Sequence, residues 1–202
     1  MADQGVKQIT DYLERSRDVV EDAIHSREFL SSIADITDAI TDSLRAGGKL
    51  LTAGNGGSAG DAQHIAGEFV SRLNYDRAPA AAIALTTDTS VITAIGNDYG
   101  YDKVFERQVL ALGRPGDVFV ALSTSGRSPS ILKAMSAARE QGMIVVAMTG
   151  RTGGGMPPLS DLVLHVPSDS TPLIQQLHIT AAHIICGMVE ERLFPQGATV
   201  VA

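Results

Sequence analysis

Asp61, His64 and Glu68 stand in AGNGGSAGDAQHIAGEFVSRL, residues 53 to 73, a stretch that begins as a glycine-rich turn and continues as a helix. The four-residue step from His64 to Glu68 puts both on one helix face about 6 Å apart along the axis, close enough to share a proton or a metal ion. The same spacing suits an exposed ion pair. Ser58 and Asp61 also fit the S-x-x-D pattern of a capping box, in which Asp61 does no more than satisfy an amide at the start of its helix. A second candidate face lies in TPLIQQLHITAAHIICGMVEERLF, where Thr171 and Pro172 read as N-cap and first helical residue. Gln175, Ile179 and His183 follow at four-residue steps, each drifting about 40° round the helix, so Gln175 and His183 can face one region. His183 stands between Ala181, Ala182, Ile184 and Ile185, which equally suits a core histidine. With His64 and Glu68, these two residues make a mixed nitrogen and oxygen set for a divalent ion. Glutamine is an unusual zinc ligand, so spacing alone does not establish a metal site.

STSGRSPS, residues 123 to 130, carries a different chemistry. Ser128 before Pro129 reads as N-cap and first residue of a helix, whose free amides, with Ser123, Thr124 and Ser125 upstream, can surround a phosphate. The plainer alternative is a capped helix after a tight loop. Gly54, Gly56 and Ala59 formally satisfy the G-x-G-x-x-A dinucleotide fingerprint. The acidic residue expected at the end of the second strand is replaced by Thr86 and Thr87, which argues against a nicotinamide cofactor.

The elements that must position these residues are legible in the hydrophobic pattern. KLLTAG, AAIAL, DVFVAL, MIVVAM and DLVLHV are short apolar runs separated by helical segments, the pattern of a parallel sheet covered on both faces. The fold class is α/β, with a sheet of about five parallel strands. Four of the runs lead into Ser, Thr, Gly and Asn, and in an open parallel sheet such loops share the ligand-binding edge. Residues 1–47 read as two helices: Val6, Ile9, Leu13, Val20 and Ile24 recur at helical spacing, and Phe29, Leu30, Ile33 and Ile36 continue the stripe until Gly47 and Gly48 stop it. These helices are expected to pack on the later core or on another subunit. The chain of 202 residues is read as a single domain, with a helical extension over 1–47, an α/β core over 48–194 and a tail over 195–202.

A net charge of −7 disfavours nucleic-acid binding and points to a small ligand. No signal-peptide pattern and no apolar run near ~18 residues is evident, so a cytoplasmic protein without a membrane partner is expected. Cys186, the single cysteine, sits among apolar neighbours and is expected to be a buried thiol.

Taken together, GNGGSAGDAQHIAGEF, LTTDTSVITAIGNDYGYDKVF, STSGRSPSILKA and TPLIQQLHITAAHIICGMVEERLF resemble the phosphoheptose isomerases of the sugar isomerase (SIS) domain superfamily, along nearly the whole chain. The resemblance implies a flavodoxin-like sandwich that interconverts sedoheptulose 7-phosphate and D-glycero-D-manno-heptose 7-phosphate, the entry to bacterial nucleotide-activated heptose. It implies one zinc ion per subunit on His64, Glu68, Gln175 and His183. Sugar phosphate is assigned to Asn55, Gly56, Gly57, Asn97, Asp98, Ser123, Thr124, Ser125, Ser128 and Gln175. A homotetramer is implied, with the leading helices in a central bundle and active sites between subunits. Glu68 and His183 are then the proton-transferring pair or, with zinc bound, ligands, in which case Asp61 is the next base. Gln176 stands where relatives often carry Glu, pointing about 100° away from Gln175. Two rival readings remain open: a non-enzymatic SIS protein that binds the replication initiator, and an isomerase of another sugar phosphate such as arabinose 5-phosphate. Retention of Glu68, His183 and GNDYG favours the enzyme.

Overall fold

The computed structural model describes residues 2–196; residues 197–202, the end of the expected tail, lie outside the described residues. The five apolar runs form β1 (Leu50–Gly54), β2 (Ala82–Ala84), β3 (Val118–Ser123), β4 (Ile144–Thr149) and β5 (Leu162–His165). All neighbours pair in parallel, in the order β2-β1-β3-β4-β5. Because both faces are covered, β1 and β3 are buried along their whole length, which is why both parities are apolar. Val118, Val120 and Leu122 of β3 point into one core layer and Phe119 and Ala121 into the other.

The helices divide between the two faces. The chain forms α1 (Ala2–His25), α2 (Arg27–Arg45), α3 (Gly57–Val70), α4 (Thr89–Tyr99), α5 (Glu106–Leu112), α6 (Pro129–Glu140) and α7 (Thr171–Leu193). The first layer takes Ile33 and Ile36 of α2, Ile65 and Phe69 of α3, and Leu177 and Ile185 of α7. The second takes Val109 of α5 and Ile131 and Met135 of α6, with Ile92 and Ile95 of α4 against it. Ser26 separates the two leading helices, its hydroxyl accepting from Phe29 N at 3.2 Å as the N-cap of α2. The buried stripe of α2 is Phe29, Ile33, Ile36 and Ile40; Leu30, expected in it, is exposed, one position off that face. Val6, Ile9 and Leu13 of α1 are each 62% exposed, so this stripe is not covered by the chain's own core. Gln176 Oε1 accepts from Ser16 Oγ at 2.8 Å, so the unusual glutamine ties α7 to α1 within one chain.

α7 has the length and a mean hydropathy, 1.2, that a membrane span would have, but half of that window is buried as a core helix of the domain. Cys186 on α7 is buried as expected, and burial pushes its thiol up to about 12. The core histidine of α7 is His178, not His183. It is fully buried, neither ring nitrogen has a hydrogen-bond partner, and burial pushes its pKa down to about 4. The backbone of Thr149 offsets part of this shift without meeting hydrogen-bond geometry. The unfolded chain takes up a proton at His178 below its ordinary value of 6.5, whereas the folded chain does so only near 4. Stability is therefore lost as pH falls through this window, by on the order of 3 kcal/mol. Urea unfolding at pH 7 and pH 4.5 is expected to show that loss in the parent protein and a distinctly smaller one in His178→Leu. An equal loss in both would refute the assignment.

The strand order reverses at β1. The chain leaves β1 through α3 toward β2 on one side, then returns to β3 on the other. A crevice between the carboxyl ends of β1 and β3 is where an open parallel sheet binds its ligands.

Candidate active site

β1 ends at Gly54, and the chain turns through Asn55 and Gly56 into α3. Gly56 has φ 58°, a conformation a Cβ would oppose, and it is the N-cap of α3 with no side-chain cap. Ser58 is buried inside the first turn, so the expected capping box between Ser58 and Asp61 is not formed. Asn55, Gly56, Gly57 and Ser58 form one wall of a cavity of about 330 Å³. The other wall is Ser123, Thr124, Ser125 and Ser128, and the start of α7 closes it with Thr171 and Gln175. Thr171 is the first residue of α7, with Ser170 rather than Thr171 as N-cap. All the residues expected to hold a sugar phosphate therefore meet here except Asn97 and Asp98. Those two lie exposed in the last turn of α4, where Asn97 Nδ2 donates to Asp98 Oδ1 at 2.7 Å, and neither lines the cavity.

Hydroxyl and amide side chains dominate the cavity lining, with glycines and Leu122 and no charged residue. Ser128 is the N-cap of α6 with Pro129 following, as expected, but its hydroxyl makes no capping bond. It accepts from Asn55 Nδ2 at 2.8 Å, and the same amide donates to Ser130 Oγ at 3.0 Å. Tyr101 completes the arrangement by donating its hydroxyl to Asn55 Oδ1 at 2.8 Å. Sequence reasoning missed Tyr101, since nothing along the chain announces a contact across 46 positions. Arg127 lines a neighbouring cavity with Arg151 instead. An anion in the main cavity would be held by hydroxyls and helix-start amides rather than by a side-chain cation. The loop after β3 is fastened from behind: Gly150 N donates to Thr124 O at 3.1 Å and Gly155 N to Gly126 O at 2.8 Å.

About two turns further along, α3 and α7 bring a donor cluster together. His64 Nε2 lies 2.9 Å from Glu68 Oε1 and 3.1 Å from His183 Nε2. One donor atom from each of the three falls within 4.8 Å of the others. Two ligands of a tetrahedral zinc ion stand about 3.3 Å apart, near the two distances that His64 makes, and the nitrogen and oxygen donors suit such an ion. His183 is exposed at this cluster, so it is not a core histidine. Gln175 lies toward the cavity and packs against Gly57, where a Cβ would fall 2.5 Å from its Nε2. Asp61 is half-buried, and its Oδ2 is buried without a partner. Burial pushes its pKa up, with the charge of His64 opposing. A carboxyl so poised is suited to accept a proton.

Residues 11–150 match the SIS domain family. The chain is 50% identical over 194 residues to the phosphoheptose isomerase of Burkholderia pseudomallei strain K96243, covering 96% of this chain and 98% of that one. It is 56% identical over 185 residues to the phosphoheptose isomerase of Bradyrhizobium sp. strain ORS 278, covering 92% and 93%. Its fold is similar to that of phosphoheptose isomerase GmhA from Neisseria gonorrhoeae, with a TM-score of 0.86 at 40% identity over 92% of this chain and 98% of that one. By family, by full-length identity and by fold, the chain belongs to the phosphoheptose isomerases of the SIS domain superfamily and is a sugar phosphate isomerase.

Proposed function

We propose that the chain interconverts sedoheptulose 7-phosphate and D-glycero-D-manno-heptose 7-phosphate in the cytoplasm, as a zinc-dependent homotetramer. The observation that carries this reading is that α3 and α7, whose first turns line the uncharged cavity at the switch point of the sheet, bring His64, Glu68 and His183 together about two turns further along. Aldose–ketose isomerisation moves one proton between adjacent carbons and another between their oxygens, so it needs a base, an acid and stabilisation of an enediolate.

Ser123, Thr124, Ser125 and Ser128, with the opening turn of α6, bind the phosphate. Asn55, Gly56 and Gly57 line the path of the sugar toward α3. Asn97 and Asp98, away from the cavity in a single chain, belong to the site only if another copy or a movement of α4 completes it. His64, Glu68 and His183 are the residues that would hold a zinc ion, with Gln175 as the fourth ligand that the resemblance implies, and the ion would supply Lewis acidity at the sugar's carbonyl and hydroxyl. Glu68 and His183 transfer protons where their lone pairs are free. Where those lone pairs hold the ion, Asp61, about two turns before Glu68 on α3, is the remaining base. The uncovered apolar stripe of α1, with Tyr12 beside it, is what a bundle between copies would bury, and the exposure of His64 and His183 suits a site closed by a neighbouring copy.

Purified protein incubated with sedoheptulose 7-phosphate is expected to form the heptose 7-phosphate, and chelation should lower the rate roughly tenfold or more, with zinc restoring it. Conversion of arabinose 5-phosphate alone would replace the substrate. No turnover combined with binding to a replication initiator would replace the reading.

A further inference from the structure

Behind the donor cluster lies an ion pair that the chemistry does not use. Arg77, in the segment after α3, places Nε 3.0 Å from Glu190 Oε1 on α7, with side chains 4% and 1% exposed. The rest of the Arg77 guanidinium mainly serves the end of α3: Nη2 donates to the carbonyl of Glu68 at 2.7 Å, and Nη1 to those of Phe69 at 2.7 Å and Ser71 at 3.2 Å, as well as to that of Ala78 at 3.0 Å. Carbonyls in the last turn of a helix have no partner within it, so Arg77 caps α3 with a side chain anchored on α7. Glu190 in turn accepts from Leu73 N at 3.0 Å and Asn74 N at 2.8 Å. The segment lies directly on α7 at Gly187, where a Cβ would fall 3.2 Å from Asn74 Nδ2.

The carbonyl that Arg77 holds belongs to Glu68, whose carboxylate is one of the three converging donors. Glu190 is about two turns beyond His183 on the same helix, so the pair fixes α3 to α7 immediately behind the point where their side chains meet. A buried ion pair contributes little net stability compared with apolar residues of equal size, but its directional bonds define a geometry. We propose that Arg77 and Glu190 are positioning residues for the zinc site, holding α3 and α7 at the separation at which His64 and Glu68 meet His183. This rests on the zinc reading given above.

The test uses the full chain with Arg77→Met and the isosteric Glu190→Gln. Zinc affinity is measured by competition with a chromophoric chelator, alongside melting of the metal-free protein and kcat and KM for the sugar phosphate. Zinc affinity and kcat are each expected to fall about tenfold or more in Arg77→Met, as for other residues that orient metal ligands, with KM nearly unchanged. Glu190→Gln is expected to show a smaller loss in the same direction, and it decides the matter if Arg77→Met does not fold. Ile131→Val, in the opposite core layer, lowers stability without touching α3 or α7 and should leave zinc affinity as it was. Lower melting with parental zinc affinity in both variants would overturn the positioning role alone. Failure of the parent protein to bind zinc would overturn the metal reading and this inference with it.

Discussion

Isomerase turnover is expected to fall by roughly two to four orders of magnitude in Glu68→Gln and in His183→Ala, the range over which a positioned proton-transfer group contributes. His183 is exposed and Glu68 half-buried, and neither belongs to a core layer, so neither change removes an apolar core contact and both variants should melt close to the parent. The two losses should not add, because the residues meet in one cluster: the double variant is expected to be little worse than the poorer single one. Measured with zinc, Asp61→Ala separates the two roles. A loss comparable with the others makes Asp61 the base while Glu68 and His183 hold the ion, and a small loss leaves proton transfer with Glu68 and His183. Full activity in all three variants would sink the scheme.

Gly126→Ala is expected to damage both stability and substrate binding. Gly126 has φ 64°, and a Cβ there would fall 1.9 Å from the carbonyl oxygen of Gly153, a backbone atom that cannot rotate away. The left-handed backbone alone costs about 1–2 kcal/mol for an alanine. Relieving the overlap adds about 1–3 kcal/mol as the two loops part. Parting them breaks the bond from Gly155 N to Gly126 O behind Ser123, Thr124 and Ser125, so the hydroxyls no longer converge. A lower melting temperature and a KM raised about tenfold or more should appear together. Gly60→Ala, on α3 where a Cβ would meet nothing within 4 Å, is the control and should neither lower melting nor raise KM. An unaltered KM in Gly126→Ala would show that this loop does not hold the phosphate.

The strands were legible because burial on both faces makes every residue of a run apolar, a signal that needs no knowledge of the partner strand. The donor cluster was legible in part: helical spacing put His64 with Glu68, only the packing of α3 on α7 brings His183 to them, and Gln175, paired with His183 by spacing, lies at the cavity against Gly57. What stayed hidden depends on three-dimensional context. Ser58 has the residue type of a cap, but the turn at Gly56 starts the helix early and buries Ser58 in its first turn. Leu30 has the right hydrophobicity and the wrong angle. Tyr101, Arg77 and Glu190 act through residues distant in sequence, and a charged pair in a polar loop and a terminal helix reads as surface until the loop is seen folded over α7.

The division of helices between the two faces of the sheet has a consequence for selectivity. The residues proposed for chemistry ride on α3 and α7 in one layer, while the phosphate loop leads into α6 in the other. On the proposed reading, the span from reacting carbons to phosphate runs over the carboxyl edge of the sheet from one helix layer to the other, a distance set by how the layers pack on the sheet. Such a site would act as a ruler for chain length, and its two ends could be altered separately: remodelling the α6 side would admit a different phosphate-bearing sugar while leaving the donors on α3 and α7 in place.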